Sequence, residues 1–492
     1  MKRVLLFAAF AGLLASPALT QQVLSLDQVL QKAREASIQS LLSRNEFLEA
    51  YWNFKMYKAE QLPNLSMNLA PLSYNKSFTQ IYNVVDDRYE YRETYLLASS
   101  SSLSMTQNIG ATGGTVSLAS SLFRVQNLSF DNDQSYTSVP FIVSYNQPLF
   151  AHNPYKWDKI IEPRKYEQAK RELIRDLQEL NVEAVERFYL VAGAQNRLLM
   201  ARAEVAAADT LLRIGRTRQT IADIDREELL NLELNHSNAT IKFVQAREAL
   251  RKAKDDLRLF IGLEAGEEFD LLLPGTSPPV DLPPADALEL ARMFNPEVFN
   301  LEIDRLEARK ESDKAVKAYR FHMNMDLSYG LNQSGAVLAD AYASPLDRQM
   351  AQISLQVPIL DWGRRKQAVS LARSQEEIVN AQSRLSLQNI EQEVMSLAYQ
   401  YALRDMELQN TALADSIAGL TYHMTVERFR NGEAGITELD NAQTKKDNAR
   451  QQYLSTQEKY WTLFYRLQST TLFDLRLRRE LDVDVDAFLE TK

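Results

Sequence analysis

The chain repeats itself, and the repeat limits the folds open to it more than any other feature. Leu65 to Leu69 aligns with Met323 to Leu327 at an offset of 258 residues. Val29-Leu30 and Ala33 match Leu288 and Ala291, and Ser37-Ile38 stands where Asn295-Pro296 stands. Further on, Gln147-Pro148-Leu149-Phe150 aligns with Val357-Pro358-Ile359-Leu360 at an offset of 210, so the first copy carries 48 extra residues in its strand region. Prolines at 274, 278, 279, 283 and 284 separate the copies, and no helix runs through such a stretch. The 492 residues therefore divide into a first repeat at 21–273, a proline-rich linker at 274–284, a second repeat at 285–475 and a tail at 476–492, after an N-terminal segment at 1–20.

Each copy reads as helix, strands, long helix, tight turn, long helix. In the first long helix Val182, Val185, Tyr189, Ala192, Asn196, Leu199, Ala203 and Ala206 recur at alternating spacings of 3 and 4, a coiled-coil seam rich in small residues. Leu387, Ile390, Val394, Leu397, Tyr401, Arg404 and Leu408 repeat it in the second copy. A helix over 366–430 would be about 95 Å long. Gly215 and Gly432 stand where helix C-caps are expected, so the turns fall at Arg213–Thr217 and Phe429–Glu433. An extended soluble coiled coil has the same periodicity.

The strand regions, about 64–147 and 322–357, alternate apolar residues with Ser, Thr, Asn and Gln rather than with Lys or Glu. That is the pattern of a membrane β-barrel strand, whose alternate residues face lipid and water. A half-buried soluble sheet has the same period of two. Two observations favour the barrel. The polar partners are uncharged, and the N-terminus reads as a secretory signal: Met1-Lys2-Arg3, an apolar run from Val4 to Ala15, then Ser16-Pro17-Ala18. No later run of 18 apolar residues offers a helical anchor.

Composition removes several classes. The chain has no cysteine, which excludes disulfides, thiolate metal sites, a cysteine nucleophile and a lipidated N-terminal cysteine. A net charge of −9 is a poor basis for nucleic-acid binding, and no nucleic-acid partner is expected. The four histidines are scattered, and no hydrolase, zinc-protease or phosphate-loop motif is present. The expectation is a protein that is not an enzyme, without catalytic residues, cofactor or metal.

With these features in place, the chain resembles the TolC-like bacterial outer-membrane efflux proteins over essentially its whole mature length. The residues that carry the resemblance are Ala287-Leu288 through Asn295-Pro296, then Gln352 through Leu360-Asp361-Trp362-Gly363-Arg364-Arg365. The third element is Arg428-Phe429-Arg430-Asn431-Gly432 leading to Ile436-Thr437-Glu438-Leu439-Asp440-Asn441-Ala442. The resemblance implies an α+β membrane protein built from a tandem duplication. A trimeric outer-membrane β-barrel would be continuous with a long periplasmic α-helical barrel of coiled-coil hairpins. It implies a homotrimer seated in outer-membrane lipid and docked to a periplasmic adaptor (membrane fusion) protein and an inner-membrane pump. The implied function is a passive exit duct of a tripartite efflux or type I secretion system. A secreted structural coiled coil or adhesin is the alternative.

The resemblance also implies site residues. The periplasmic gate maps to Glu438 and Asp223, with Asp440 and Asp225 two residues further on; Asn441 replaces a second acid. Ordinary solvated carboxylates near a helix start would look the same. The adaptor-docking tips map to Arg213, Ile214 and Gly215 in the first copy, and to Phe429, Arg430, Asn431 and Gly432 in the second. Turn chemistry alone also explains them. Tyr155, Trp157 and Trp362 follow strand ends, in an interfacial belt or in the core. The extra residues hold two strand candidates, about 96–107 and 114–124, joined by Asn108 to Gly114. Six strands per chain would make 18 per trimer in place of the family's 12; the reading preferred from sequence is an extracellular cap or extended rim.

Overall fold

The structure is a computed structural model and describes residues 22–83, 87–129, 133–220, 226–264, 266–275, 282–431 and 433–483. The signal segment at 1–20 lies outside them. In chain order the elements are β1 (Gln22–Ser25), α1 (Leu26–Ala36), α2 (Ile38–Glu60), β2 (Asn64–Asn83), β3 (Arg88–Ile109), β4 (Gly114–Asn127) and β5 (Asp133–Leu149). Then come α3 (Pro154–Thr220), α4 (Arg226–Phe260), β6 (Phe269–Leu272), α5 (Pro284–Phe294), α6 (Pro296–Ala318), β7 (His322–Gly335), α7 (Asp340–Ala343) and β8 (Leu346–Gln356). The chain continues through α8 (Arg364–Arg430), α9 (Ile436–Thr471), β9 (Phe473–Asp474) and β10 (Arg479–Glu480). The duplication is visible in the lengths: α3 and α8 each have 67 residues, α4 has 35 and α9 has 36.

The chain forms two compact units. One takes residues 1–45, 171–295 and 391–492. Its core gathers Leu24, Val29, Phe188, Leu257, Ile261, Phe269, Leu467, Leu472 and Leu475, each almost wholly buried. The α1 helix starts at a capping box, in which the Gln28 N–H donates to Ser25 Oγ while the Ser25 N–H donates to Gln28 Oε1. β1 pairs in parallel with β6, tying the start of the first repeat to its end. Ion pairs link four long helices in the order α4–α3–α9–α8. Arg216–Glu233 (3.1 Å) and Lys242–Glu204 (2.7 Å) join α3 to α4. Glu186–Arg466 (3.4 Å) joins α3 to α9. Asp415–Arg450 and Glu407–Lys459, both 2.9 Å, join α8 to α9.

The predicted α3 seam holds only in part. Val182, Val185, Tyr189 and Ala192 are buried, but Leu199, Ala203 and Ala206 are exposed in the single chain, and Ala201 and Leu212 are buried instead. A straight helix drifts about 20° per heptad from a strict 3.5-residue repeat, so over three heptads the buried stripe moves off the row read from sequence. In α8 the buried row includes Val394, Tyr401, Arg404 and Leu408. The Arg404 guanidinium lies 3.5 Å from the centre of the Tyr401 ring and donates to the Tyr401 carbonyl, which lets a cation sit inside the array.

The second unit takes residues 46–170 and 296–390. It holds one six-stranded antiparallel sheet in the order β2-β3-β4-β5-β7-β8, so strands of both repeats share a single wall. The helical ends packed beneath it are joined by Arg164–Glu302 (3.0 Å), Lys165–Glu307 (2.7 Å) and Lys310–Asp158 (2.8 Å). Phe54 stacks on Tyr166 with ring centres 4.7 Å apart.

Candidate functional site

Three surfaces bear on function: the sheet, the tips of the helix hairpins, and the outer helices of the four-helix array.

The register assigns every strand residue to one of two faces. Leu65, Met67, Leu103, Met105, Val116, Leu118, Val143, Leu327, Tyr329, Ile353 and Leu355 share one face. Asn68, Ser102, Ser104, Thr106, Ser117, Ser144, Asn146, Asp326, Ser328 and Ser354 share the other. On that face Ser66 Oγ lies 2.9 Å from Ser104 Oγ, and Asn146 Nδ2 donates to Asp326 Oδ1 at 2.6 Å. One face suits hydrocarbon and the other water.

The extra strands are not an added cap. β3 and β4 pair along 14 residues, from Leu96–Asn127 to Ile109–Gly114, in the middle of the sheet. Their turn lies at the helix-bearing end: Gln107 Nε2 donates to the Gln61 carbonyl (2.9 Å), Asn153 Nδ2 to the Gly110 carbonyl (2.9 Å) and Gln147 Nε2 to the Thr112 carbonyl (3.0 Å). The preferred reading from sequence is therefore corrected, because a period of two tells faces apart and carries nothing about height. At the opposite end β2 and β3 run on as a two-stranded ribbon, since β3 below residue 96 has no β4 partner. Phe78 and Tyr91 stack on one face of it, 5.8 Å apart, near Tyr82 and Tyr89 at 5.2 Å.

At the second tip, the Glu433 N–H donates to the Arg428 carbonyl at 2.8 Å and the Asn431 N–H to the Glu427 carbonyl at 3.0 Å, the six-to-one closure of a Schellman cap. Gly432 itself lies outside the described residues. Phe429 is half-buried and Asn431 exposed, and Arg430 is the last residue of α8. Gly435 is the N-cap of α9, which puts Glu438 in the first helical turn. The Glu438 carboxylate lies 3.7 Å from Arg428 Nη2, and both side chains are about half exposed, so the pair bridges the two helices at modest energy. Asp440 is exposed.

At the first tip, Arg213 and Ile214 are exposed and Gly215 is buried. Gly215 is not a cap, because α3 continues five residues beyond it to Thr220. Glycine inside a helix costs only about 1 kcal/mol, which does not by itself end a helix of this length. Asp223 and Asp225 fall outside the described residues. Trp157 Nε1 and His152 Nδ1 both meet Asp313 Oδ2, at 3.3 Å and 3.0 Å. Partial burial pushes the Asp313 carboxyl up, but these partners and Lys317 hold it below its ordinary value. Tyr155 packs beside Gly110, and Trp362 is 85% exposed next to exposed Ile359 and Leu360.

The sequence reading missed a second seam. On α8, Tyr399, Met406, Leu413 and Leu420 stand seven apart, with Leu403, Ile417 and Met424 between or beside them, each 50–68% exposed. On α4, Leu230, Leu234, Ile241 and Val244 recur at seam spacing and are 43–58% exposed. The strict heptad at 399, 406, 413 and 420 is readable in the sequence, but the buried row at 394, 401 and 408 has the same period and hides it.

Within the array, burial and then Glu186 push the Glu458 carboxyl above its ordinary 4.5. Burial does the same to Asp447. A carboxyl raised in the folded state binds more protons there than when unfolded, so it favours the fold at low pH and costs stability as pH rises through the carboxylate range. Glu458→Gln should raise the thermal midpoint at pH 7, and the gain should disappear at pH 4. Equal gains at both values would remove the titration argument.

Among the described residues no helix is long and apolar enough to cross a membrane, and no group of three or more His, Cys, Asp or Glu is placed to hold a metal ion. Residues 289–470 match the family described as outer membrane efflux protein. No curated protein matches the chain. Among solved structures it is similar to the CmeC outer membrane channel of Campylobacter jejuni (TM-score 0.67, 12% identity, 95% of this chain and 88% of that one). It is also similar to the outer membrane protein VceC of Vibrio cholerae (0.61, 10%, 93% and 97%). A third is the open state of the MtrE outer membrane channel of Neisseria gonorrhoeae (0.57, 13%, 93% and 91%). At these identities the likeness is one of fold.

Proposed function

We propose that this chain is a TolC-like outer-membrane efflux channel with a periplasmic helical part, and that it is the passive exit duct of a tripartite efflux or type I secretion assembly; the match of residues 289–470 to the outer membrane efflux protein family and the likeness in fold to outer membrane channels support the reading. One observation carries the reading. The sheet has an apolar and a hydroxyl-rich face, and among the described residues its edge strands β2 and β8 have no outer partner. Open edges are not tolerated in lipid, and six strands are too few to close on themselves, so copies must join edge to edge. β2 and β8 run in opposite directions, which lets β8 of one copy continue antiparallel into β2 of the next around a symmetry axis.

The helix array supports the same closure. Its outer members, α4 and α8, bear the exposed seams, and both seams lie within about thirty residues of the tips. A homotrimer would join them pairwise into a ring, each α8 seam covered by a neighbour's α4 seam. Membrane fractionation followed by mass measurement in detergent tests this: a particle of three copies in the outer membrane is expected, and a soluble monomer would restore the secreted coiled-coil reading.

The tip residues Arg213 and Ile214, and Phe429, Arg430 and Asn431, are the candidates for docking a periplasmic adaptor, which couples the duct to an inner-membrane pump; Gly215 is buried and would shape the tip rather than touch the partner, and Gly432 stays a candidate by motif alone. Glu438 and Asp223 are the gate candidates, with Asp440 and Asp225 two residues further along the chain. Three copies of each acid around one axis would attract cations and raise one another's pKa. In planar bilayers Glu438→Ala combined with Asp223→Ala should raise single-channel conductance several-fold and weaken cation preference. If neither changes, these acids are ordinary surface carboxylates.

A further inference from the structure

We propose that all six strands of each chain are staves of the membrane wall, so that three copies enclose an 18-stranded pore rather than the 12-stranded one of the family's simple pattern. The proposal rests on the trimeric reading above for the number of copies, and on this chain's own strands for the share of each.

Four observations carry it. The β3–β4 pair lies inside the sheet, with β2 hydrogen-bonded on one side and β5 on the other, so it cannot leave the wall without breaking two ladders. The turn at 110–113 is tied to Gln61, Gln147 and Asn153 at the end where the helices enter, so these strands run the full height. Their faces match those of the other four strands. Leu103, Met105, Val116, Leu118 and Leu122 project to the apolar side, and Ser100, Ser102, Ser104, Thr106, Ser117 and Ser121 to the polar side. A hairpin standing in water outside the membrane has no reason to keep a dry face of this height. Finally, the apolar stripe on β4 stops at Arg124, whose Nη2 donates to Gln126 Oε1 (3.1 Å) and Gln134 Oε1 (3.3 Å). From Val116 to Leu122, with Ser120 between, the stripe covers about 15 Å of height at a strand tilt of about 40°, and a polar boundary stands above it.

The consequence is width. With strands about 4.8 Å apart and tilted about 40°, 18 strands put opposite walls about 36 Å apart, against about 24 Å for 12. The hydroxyl-lined membrane segment is then not the narrow part of the duct, and size selection falls to the helix tips.

Because the chain has no cysteine, a single introduced thiol is unambiguous. Ala111 is exposed in the β3–β4 turn, and Val337 is exposed between β7 and β8 at the other end. Intact cells carrying Ala111→Cys or Val337→Cys would be treated with a maleimide-bearing polyethylene glycol too large to pass a porin. Labelling is expected for Val337→Cys at once, and for Ala111→Cys only after the outer membrane is permeabilised. Equal labelling of both in intact cells would overturn the proposal. So would a reconstruction of the purified particle showing 12 wall strands from three copies, with the extra hairpin outside the wall. A particle with a copy number other than three, with Ala111→Cys still protected, overturns the trimeric reading and supports six wall strands per chain.

Discussion

Leu413→Glu combined with Leu420→Glu is expected to leave the chain folded but monomeric. Both leucines are more than half exposed on α8, seven residues apart, on the row opposite the buried one that packs against α9. With that exposure in the single chain, folding of one copy has little to lose. In a closed ring each would be covered by α4 of the neighbour. Burying one leucine is worth about 1.5–3 kcal/mol. The variant forfeits that for two residues at each of three interfaces, and an unpaired buried carboxylate costs more again. The expected readout is loss of the trimer in detergent by at least tenfold, with the far-ultraviolet circular dichroism of the monomer unchanged. The matching change on α4, Leu234→Glu with Ile241→Glu, should have the same effect. Trimer yield unchanged in both variants would mean that the seams face water in the assembly, and the ring would need another interface.

Gly330→Val should abolish the barrel. A side chain at this position would start 2.5 Å from the Phe141 carbonyl oxygen and 2.8 Å from the Ile142 Cα, both backbone atoms of the neighbouring strand. Neither can move without separating β5 from β7, and that pairing is where the sheet passes from the first repeat to the second. The register slips nearby, between Ser138 and Phe141, so the strands already bend there. The expected outcome is near-complete loss of heat-modifiable protein from the outer membrane. Gly275→Ala is the control, since nothing lies within 4 Å of a side chain there. Wild-type levels of folded Gly330→Val protein would show that β5 and β7 can part.

Much of this fold is readable from the residues. The duplication predicts two long hairpins, and α3 with α8 and α4 with α9 correspond in length and order. The alternation of Leu, Met and Val with Ser and Asn marks six strands and their faces. Three things are not readable, each for a physical reason. Height is lost because a period of two is the same at every depth; the bonds from Gln107 and Asn153 fix where the β3–β4 turn stands. A helix end is misread at Gly215 because a single glycine costs a helix only about 1 kcal/mol, and α3 runs on to Thr220. The outer seam is obscured because α8 carries two apolar rows of one period, and only the contacts with α9 tell which row is buried. For the candidate site, Glu438 is found beside Arg428 in the first turn of α9, whereas the two acids of the first tip lie outside the described residues.

The ribbon at the far end of β2 and β3 differs from the rest of the wall in how it holds together. From Ser77 to Asn83 and Arg88 to Thr94 the two strands have only each other, and a lone hairpin is marginally stable in water. Its peptide groups are expected to exchange their hydrogens through local opening, far faster than those of β4 and β5. The duct therefore ends in a section that melts and re-forms on its own, while the wall beneath stays closed.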